Sequence, residues 1–185
     1  VVLVVFSQII AVSFLEYLAY LEVLIGFMFY IYQLYLIFKT KVRKQKDIYY
    51  IYIVFSVTNL ILAIMLTCFY FINKNDYLLS VAGFVFLIGF LSPIITAHLY
   101  KIVPFLVWFH RFASLVGKQK VPMLADMVPI KSSNFGFGFY FIGFITALIA
   151  FSFSSDILFK ASVSFLFIGT IFIVKDVFYI INFKG

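Results

Sequence analysis

An all-α fold, a polytopic bundle of transmembrane helices, is what this sequence predicts, and three observations carry the prediction. Hydrophobic residues make up 65% of the 185 and charged residues only 11%, whereas a soluble domain is about half apolar and about a quarter charged. The apolar residues gather into runs of roughly 20 or more. That is the length a helix needs to cross the hydrocarbon of a bilayer, where each residue rises about 1.5 Å and every backbone amide must be bonded internally. The cations gather into alternate connections between those runs. A single transmembrane domain over residues 1–185 is expected, with five complete spans, a truncated N-terminal one and a short interfacial helix.

The elements follow in order. The chain begins at Val1 inside an apolar run and stops at Gly185 just after another, so it reads as a piece of a longer protein. VVLVVFSQIIAVS lacks the basic start and small-residue cleavage site of a secretory signal peptide. A single helix from Val1 to Phe38 would be about 57 Å long, so a truncated span ending near Ser13 is expected instead. The complete spans are Leu15 to Phe38, Ile48 to Ile72, Tyr77 to Tyr100, Phe135 to Ser154 and Ile157 to Phe183. Cys68 lies mid-span and is the only cysteine, so no intrachain disulfide forms.

KTKVRKQK, after the first complete span, carries five of the 14 Lys and Arg, and Lys101 to Lys131 carries five more; NKND has one and SFSSD none. Short loops rich in Lys and Arg stay on the cytoplasmic side. Alternation then puts Lys39 to Asp47, Lys101 to Asn134 and Lys184 inside, and Asn73 to Asp76 and Ser152 to Asp156 outside. This is the topology of an inner-membrane protein with a cytoplasmic C-terminus. It also accounts for the net charge of +7, which has no basic soluble face on which to bind nucleic acid. Tyr30, Tyr32 and Tyr35 precede the basic loop, and Tyr49, Tyr50 and Tyr52 follow it, as an interfacial aromatic belt would.

HLYKIVPFLVWFHRF, His98 to Phe112, is the most varied stretch of the chain. Lys101 falls at the cytoplasmic interface, about 24 residues into its span. Pro104 disfavours helical geometry at Val103 and is expected to end or kink the helix there. PFLVWFHRFASLVG then has proline at its start and Gly117 at its end, which suits a short helix lying in the interface, with Trp108 as anchor, Arg111 toward phosphate and His110 wet. In the 101–134 loop, one helical turn is expected near Met123 to Met127. Ser132, Ser133 or Asn134 is expected to cap the next span.

GFVFLIGFLSPIITAHLYKIVPFLVWFHRF, followed by VGKQKVP and DMVP, resembles bacterial membrane proteins related to the catalytic subunit of heme-copper oxidases, the cytochrome c oxidase subunit I-like group. The resemblance spans Leu15 to Phe183 and is closest at His98 to Trp108; elsewhere it is hydropathy and helix order. It implies a respiratory-chain setting, other respiratory membrane subunits as partners, and heme as a cofactor with His98 as an axial ligand. The group's helix starts with an H-x-H-L stretch, where this chain reads NDYLLSVAG. Heme-copper oxidases use six histidines for two hemes and a copper, and this chain has two. An accessory or degenerate member without its own oxygen-reducing site is therefore implied.

The charged residues inside the spans support another function. Acids in a membrane are costly and mark ion or proton handling. Glu16 falls near the outer interface and Glu22 about two turns deep, with Lys160 of the last span as its expected partner. Asp176 needs a partner, for which Lys101 or Arg111 lies at the right depth, while Lys175 snorkels outward. Glu22, Lys160 and Asp176 would line the polar route of an ion- or proton-coupled transporter or channel. Asn59, Gln33 and Thr67 read as interhelical hydrogen-bond glue, and Gly83, Gly89, Gly136, Gly138 and Gly143 as points of close helix contact. No nucleophile triad, cysteine metal cluster or phosphate-binding glycine loop appears; the G-x-G of SSNFGFGF opens a membrane helix without a preceding strand.

Overall fold

A computed structural model describes residues 13–40 and 47–183, with the backbone alone for 13–17. The expected truncated span over residues 1–12, the Glu16 side chain, the cations at 41–46 and Lys184 lie outside the described residues. No strand occurs among the described residues. Five helices are long and apolar enough to cross a membrane, and the protein is a multi-pass membrane protein.

The chain divides into two compact units, Val1–Gln45 and Lys46–Gly185. The first contains helix α1, Ser13–Thr40. Its large apolar residues Leu21, Met28, Phe29 and Tyr35 are exposed, while Phe27, Tyr30, Ile31, Leu34 and Phe38 form a half-buried stripe; the exposed apolar surface suits lipid contact.

The second unit is built of four antiparallel passes. Helix α2, Ile48–Asn73, starts at Asp47, whose Oδ1 accepts from the Tyr50 amide at 3.1 Å, and stops at Lys74 in the left-handed conformation. The next pass runs as α3, Asp76–Phe84, a π-helical segment, Val85–Leu91, and α4, Ser92–Arg111. Helix α5, Ile130–Ser152, and helix α6, Asp156–Ile181, form the closing hairpin. At one end of this unit Lys101 Nζ lies 3.0 Å from Asp47 Oδ2 and Arg111 Nη1 donates to the Phe183 carbonyl at 2.7 Å. At the other end the Tyr77 hydroxyl donates to the Phe151 carbonyl.

Ala63, Val85 and Phe144 form a buried cluster with Phe55, Phe84 and Leu166 packed around it. Leu87, Ile95, Phe105, Ile157 and Phe167 face outward, an apolar exterior suited to lipid contact. The α5–α6 hairpin closes tightly because Gly143 and Gly169 have no side chain. A Cβ on Gly169 would lie 2.9 Å from the Tyr140 nitrogen, and one on Gly143 would lie 2.8 Å from the Leu166 nitrogen. Gly89 and Gly136 are similarly crowded, whereas Gly83 and Gly138, also expected at contacts, have open space.

Two expectations are corrected. The helix does not end at Pro104: the pass is a continuous 36 residues, Asp76–Arg111, with Pro104 buried inside it. The separate interfacial helix over Pro104 to Gly117 is therefore absent. The chain stays helical to Arg111 and then makes a short 3-10 turn, Ala113–Leu115, before Gly117 at φ +80°. Losing one amide donor at proline costs less than unwinding, which would leave several backbone groups unbonded at that depth. Helix α5 begins at Ile130 behind Pro129, and no serine caps it; Ser133 Oγ instead donates to the Ile130 carbonyl at 3.1 Å. Proline suits a helix start, where its missing N–H leaves nothing unbonded. The expected turn near Met123 is present as Leu124–Met127, with the Met123 amide donating to Asp126 Oδ2 at 2.9 Å.

Candidate functional site

The site begins with helical periodicity. On α2, Tyr52, Ser56 and Asn59 fall at spacings of four and three, and on α4, Ser92, Thr96 and Tyr100 fall at spacings of four, so each set shares one helix face. All but Ser92 are buried, and Ser92 is half-buried. The two faces make a ladder of polar groups inside an otherwise apolar unit.

Asp176 of α6 sits at the end of this ladder, fully buried, and its Oδ2 accepts from the Tyr100 hydroxyl at 2.7 Å. Oδ1 has no hydrogen-bond partner among the described residues. The same is true of the Tyr52 hydroxyl, which is also fully buried. The Tyr52 ring stacks on Tyr100 at 6.0 Å and 24°, and meets the Phe137 ring edge-on at 5.1 Å. These contacts fix the ring beside Tyr100, whose hydroxyl holds Asp176.

The upper part of the ladder meets the π-helical segment. Pro93 has no N–H, and its ring would collide with a carbonyl four residues back, so the turn before it widens; the Ser92 amide reaches back five residues to the Leu87 carbonyl. In that register the partner of the Ile88 carbonyl would be Pro93, which cannot donate. The Tyr140 hydroxyl of α5 supplies the bond at 2.6 Å, and Ser56 Oγ donates to the Phe90 carbonyl at 2.8 Å. Gly89 makes room for Asn59 and Phe144, both of which would lie 2.9 Å from an added Cβ.

The expected site residues separate. Asp176 is buried as expected, but its partner is Tyr100. Lys101 pairs with Asp47 and lies over the Tyr49 ring, and Arg111 binds the Phe183 carbonyl. The reason is rotational: neighbours on a helix point about 100° apart, so with Tyr100 turned into the unit Lys101 faces out. Lys175 is exposed beside buried Asp176 for the same reason, its Nζ over the Phe172 ring. Tyr52 belongs to the core, not to an aromatic belt. Asn59 and Thr67 bond back to carbonyls of their own helix, Phe55 at 2.8 Å and Ala63 at 2.9 Å, and so are not glue between helices. Glu22 and Lys160 are both exposed and belong to different units. Trp108 is half-buried, its indole donating to the Pro122 carbonyl at 2.9 Å, so it pins the loop to α4.

His98 is exposed, edge-on to Tyr49. Its Nδ1 lies 2.7 Å from the Ile94 carbonyl, which only accepts, so that nitrogen carries a proton. His110 is exposed on the same helix twelve residues on, about 18 Å along the axis. The two imidazoles therefore cannot share an iron, and among the described residues no three of His, Cys, Asp or Glu come together to hold a metal. These residues do not fit a binuclear heme-copper centre; His98 offers a single Nε2. The chain matches no family model, no curated protein and no solved structure.

Proposed function

We propose that the protein carries protons or small cations across the inner membrane, with Asp176 as the group that handles the charge and the C-terminus on the cytoplasmic side. One observation supports this above the rest: a fully buried carboxylate whose second oxygen has no partner among the described residues and whose neighbouring cations Lys101 and Arg111 are engaged elsewhere. An ionised carboxylate in an apolar interior is expensive, so a site of this kind acts by exchanging a small positive species. The orientation follows the lysine- and arginine-rich connections. Glu22 and Lys160, on exposed helix surfaces, play no part in this reading. In liposomes, Asp176→Asn should abolish proton or cation flux, and undiminished flux would discard the assignment.

A second reading, an accessory respiratory component related to heme-copper oxidase subunit I, draws on the His98 to Trp108 stretch and on the exposed imidazole with its Nδ1 tied back to Ile94. It expects a reduced-minus-oxidised heme spectrum that is lost in His98→Ala, and a colourless purified protein removes it.

A further inference from the structure

We propose that His98, Lys101 and Tyr49 form a headgroup site for phosphatidylethanolamine at the rim of the second unit. The site lies apart from the polar ladder and does not depend on the role of Asp176.

Its depth follows from three residues. Asp47 caps the start of α2 and so marks the end of a membrane pass. Lys101 Nζ lies 3.0 Å from Asp47 Oδ2, which puts Lys101 at the same level. His98 is three residues back on the same side of α4, about 4.5 Å closer to the bilayer centre. Its ring is exposed, so it meets lipid where headgroups give way to hydrocarbon. Ile95, three residues further in, is exposed as well and offers an apolar wall to an acyl chain.

The chemistry then selects the headgroup. His98 Nδ1 carries a hydrogen toward the Ile94 carbonyl at 2.7 Å, so Nε2 of the neutral ring is an acceptor. Such a nitrogen makes no hydrogen bond to a bare phosphate oxygen; it needs a ligand that brings its own N–H or O–H. Lys101 is the complement. An ammonium has three hydrogens, and one is aimed at Asp47. The Tyr49 ring orients both groups, with Lys101 Nζ 4.9 Å from its centre and the His98 ring edge-on at 6.0 Å. The cluster thus combines a cation, Lys101, an anion, Asp47, and a neutral acceptor, His98. A zwitterion whose phosphate stands next to an N–H donor matches it: the phosphate oxygens accept from Lys101 and the ethanolamine ammonium donates to His98 Nε2. A choline headgroup has the phosphate and no N–H. A headgroup of net negative charge has no ammonium to set against the Asp47 carboxylate, which repels it.

The test incubates the purified protein in detergent with dioleoyl lipids that differ only in the headgroup, and counts bound lipid by native mass spectrometry. Phosphatidylethanolamine is expected to bind about tenfold more tightly than phosphatidylcholine. Its mono- and dimethyl forms keep an N–H and should bind like the parent, so that affinity falls at the third methyl. An even decline with each methyl would overturn the hydrogen bond to His98, a result that needs no variant to fold. The preference for ethanolamine over choline should vanish in His98→Leu and survive in His98→Gln, which keeps an acceptor; Lys101→Gln should weaken both lipids alike. An unchanged preference in His98→Leu would overturn the site. Tighter binding of phosphatidylglycerol than of phosphatidylethanolamine would overturn the zwitterion. Displacement of the lipid by an equal concentration of soluble glycerophosphoethanolamine would overturn the lipid as occupant in favour of a free phosphodiester. A heme spectrum lost in His98→Leu would assign Nε2 to iron and likewise overturn the proposal.

Discussion

Tyr52 and Tyr100 are stacked neighbours, yet their hydroxyls should register oppositely in stability. Among the described residues Tyr100 supplies the only hydrogen bond to the buried Asp176 carboxyl group, and bonds to charged groups contribute about 1.5–3 kcal/mol. Tyr100→Phe should therefore lower thermal stability in detergent by about that amount. The Tyr52 hydroxyl has no partner among the described residues, so Tyr52→Phe should be neutral or stabilising by about 1 kcal/mol. Circular-dichroism melts of the two variants check the pair; a larger loss in Tyr52→Phe would contradict it. At this scale Asp176 was legible in the sequence because an acid inside an apolar run is conspicuous, but its partner was not. Lys101 satisfied the expectation of charge pairing and depth, and only helix rotation shows that Tyr100 faces inward in its place. Tyr52 near a basic loop has the composition of an interfacial belt, and its burial separates it from Tyr49. The spacing of Tyr52, Ser56 and Asn59, matched by Ser92, Thr96 and Tyr100, was the readable sign of an inward polar face.

Among the elements, the α5–α6 hairpin depends on the absence of side chains at particular positions. Gly169→Ala should cost about 1–3 kcal/mol, because the new methyl meets the Tyr140 backbone and the helices must move apart. Gly138→Ala, on the same hairpin but in open space, should instead gain up to about 1 kcal/mol of helix propensity. Equal shifts in melting temperature for the two would show that the hairpin is looser than the structure indicates. Helix existence was readable from the apolar runs, and most boundaries fall within two residues of expectation; the exceptions are the pass expected to end at Tyr100, which runs on to Arg111, and α5, which starts at Ile130. The continuity through Pro104 was not readable, because the same proline that marks a boundary in water is tolerated in an apolar surround. Pro93 carried the opposite lesson: it announces the widened turn before it, through the carbonyls it cannot bond.

For the molecule as a whole, the antiparallel passes put the 74–75 and 112–129 connections at opposite ends of the second unit. In a Cys68→Ser background, Asn75→Cys should react with an impermeant maleimide from outside intact cells, and Lys120→Cys only after permeabilisation. Reaction of both from outside would contradict a membrane-spanning unit, and the reverse pattern would invert the proposed orientation. The class of the fold was legible because composition and cation placement act over the entire chain and need no knowledge of packing. The division of the chain at Gln45 and Lys46 left no such mark, since the expected spans look alike on either side of it.

The widened turn at Val85–Leu91 also determines where this protein tolerates a change in length. A π-helical turn contains more residues than an α-helical one. Deleting one residue within it should draw the backbone into ordinary α-helix while Tyr77 and Tyr100 keep their facings. The same deletion between Ile95 and Tyr100 would swing everything beyond it by about 100°, carrying the Tyr100 hydroxyl away from Asp176. Shortened variants at the two places should therefore differ sharply in expression and folded yield, with the seven residues before Ser92 acting as the expansion joint of a 36-residue rod.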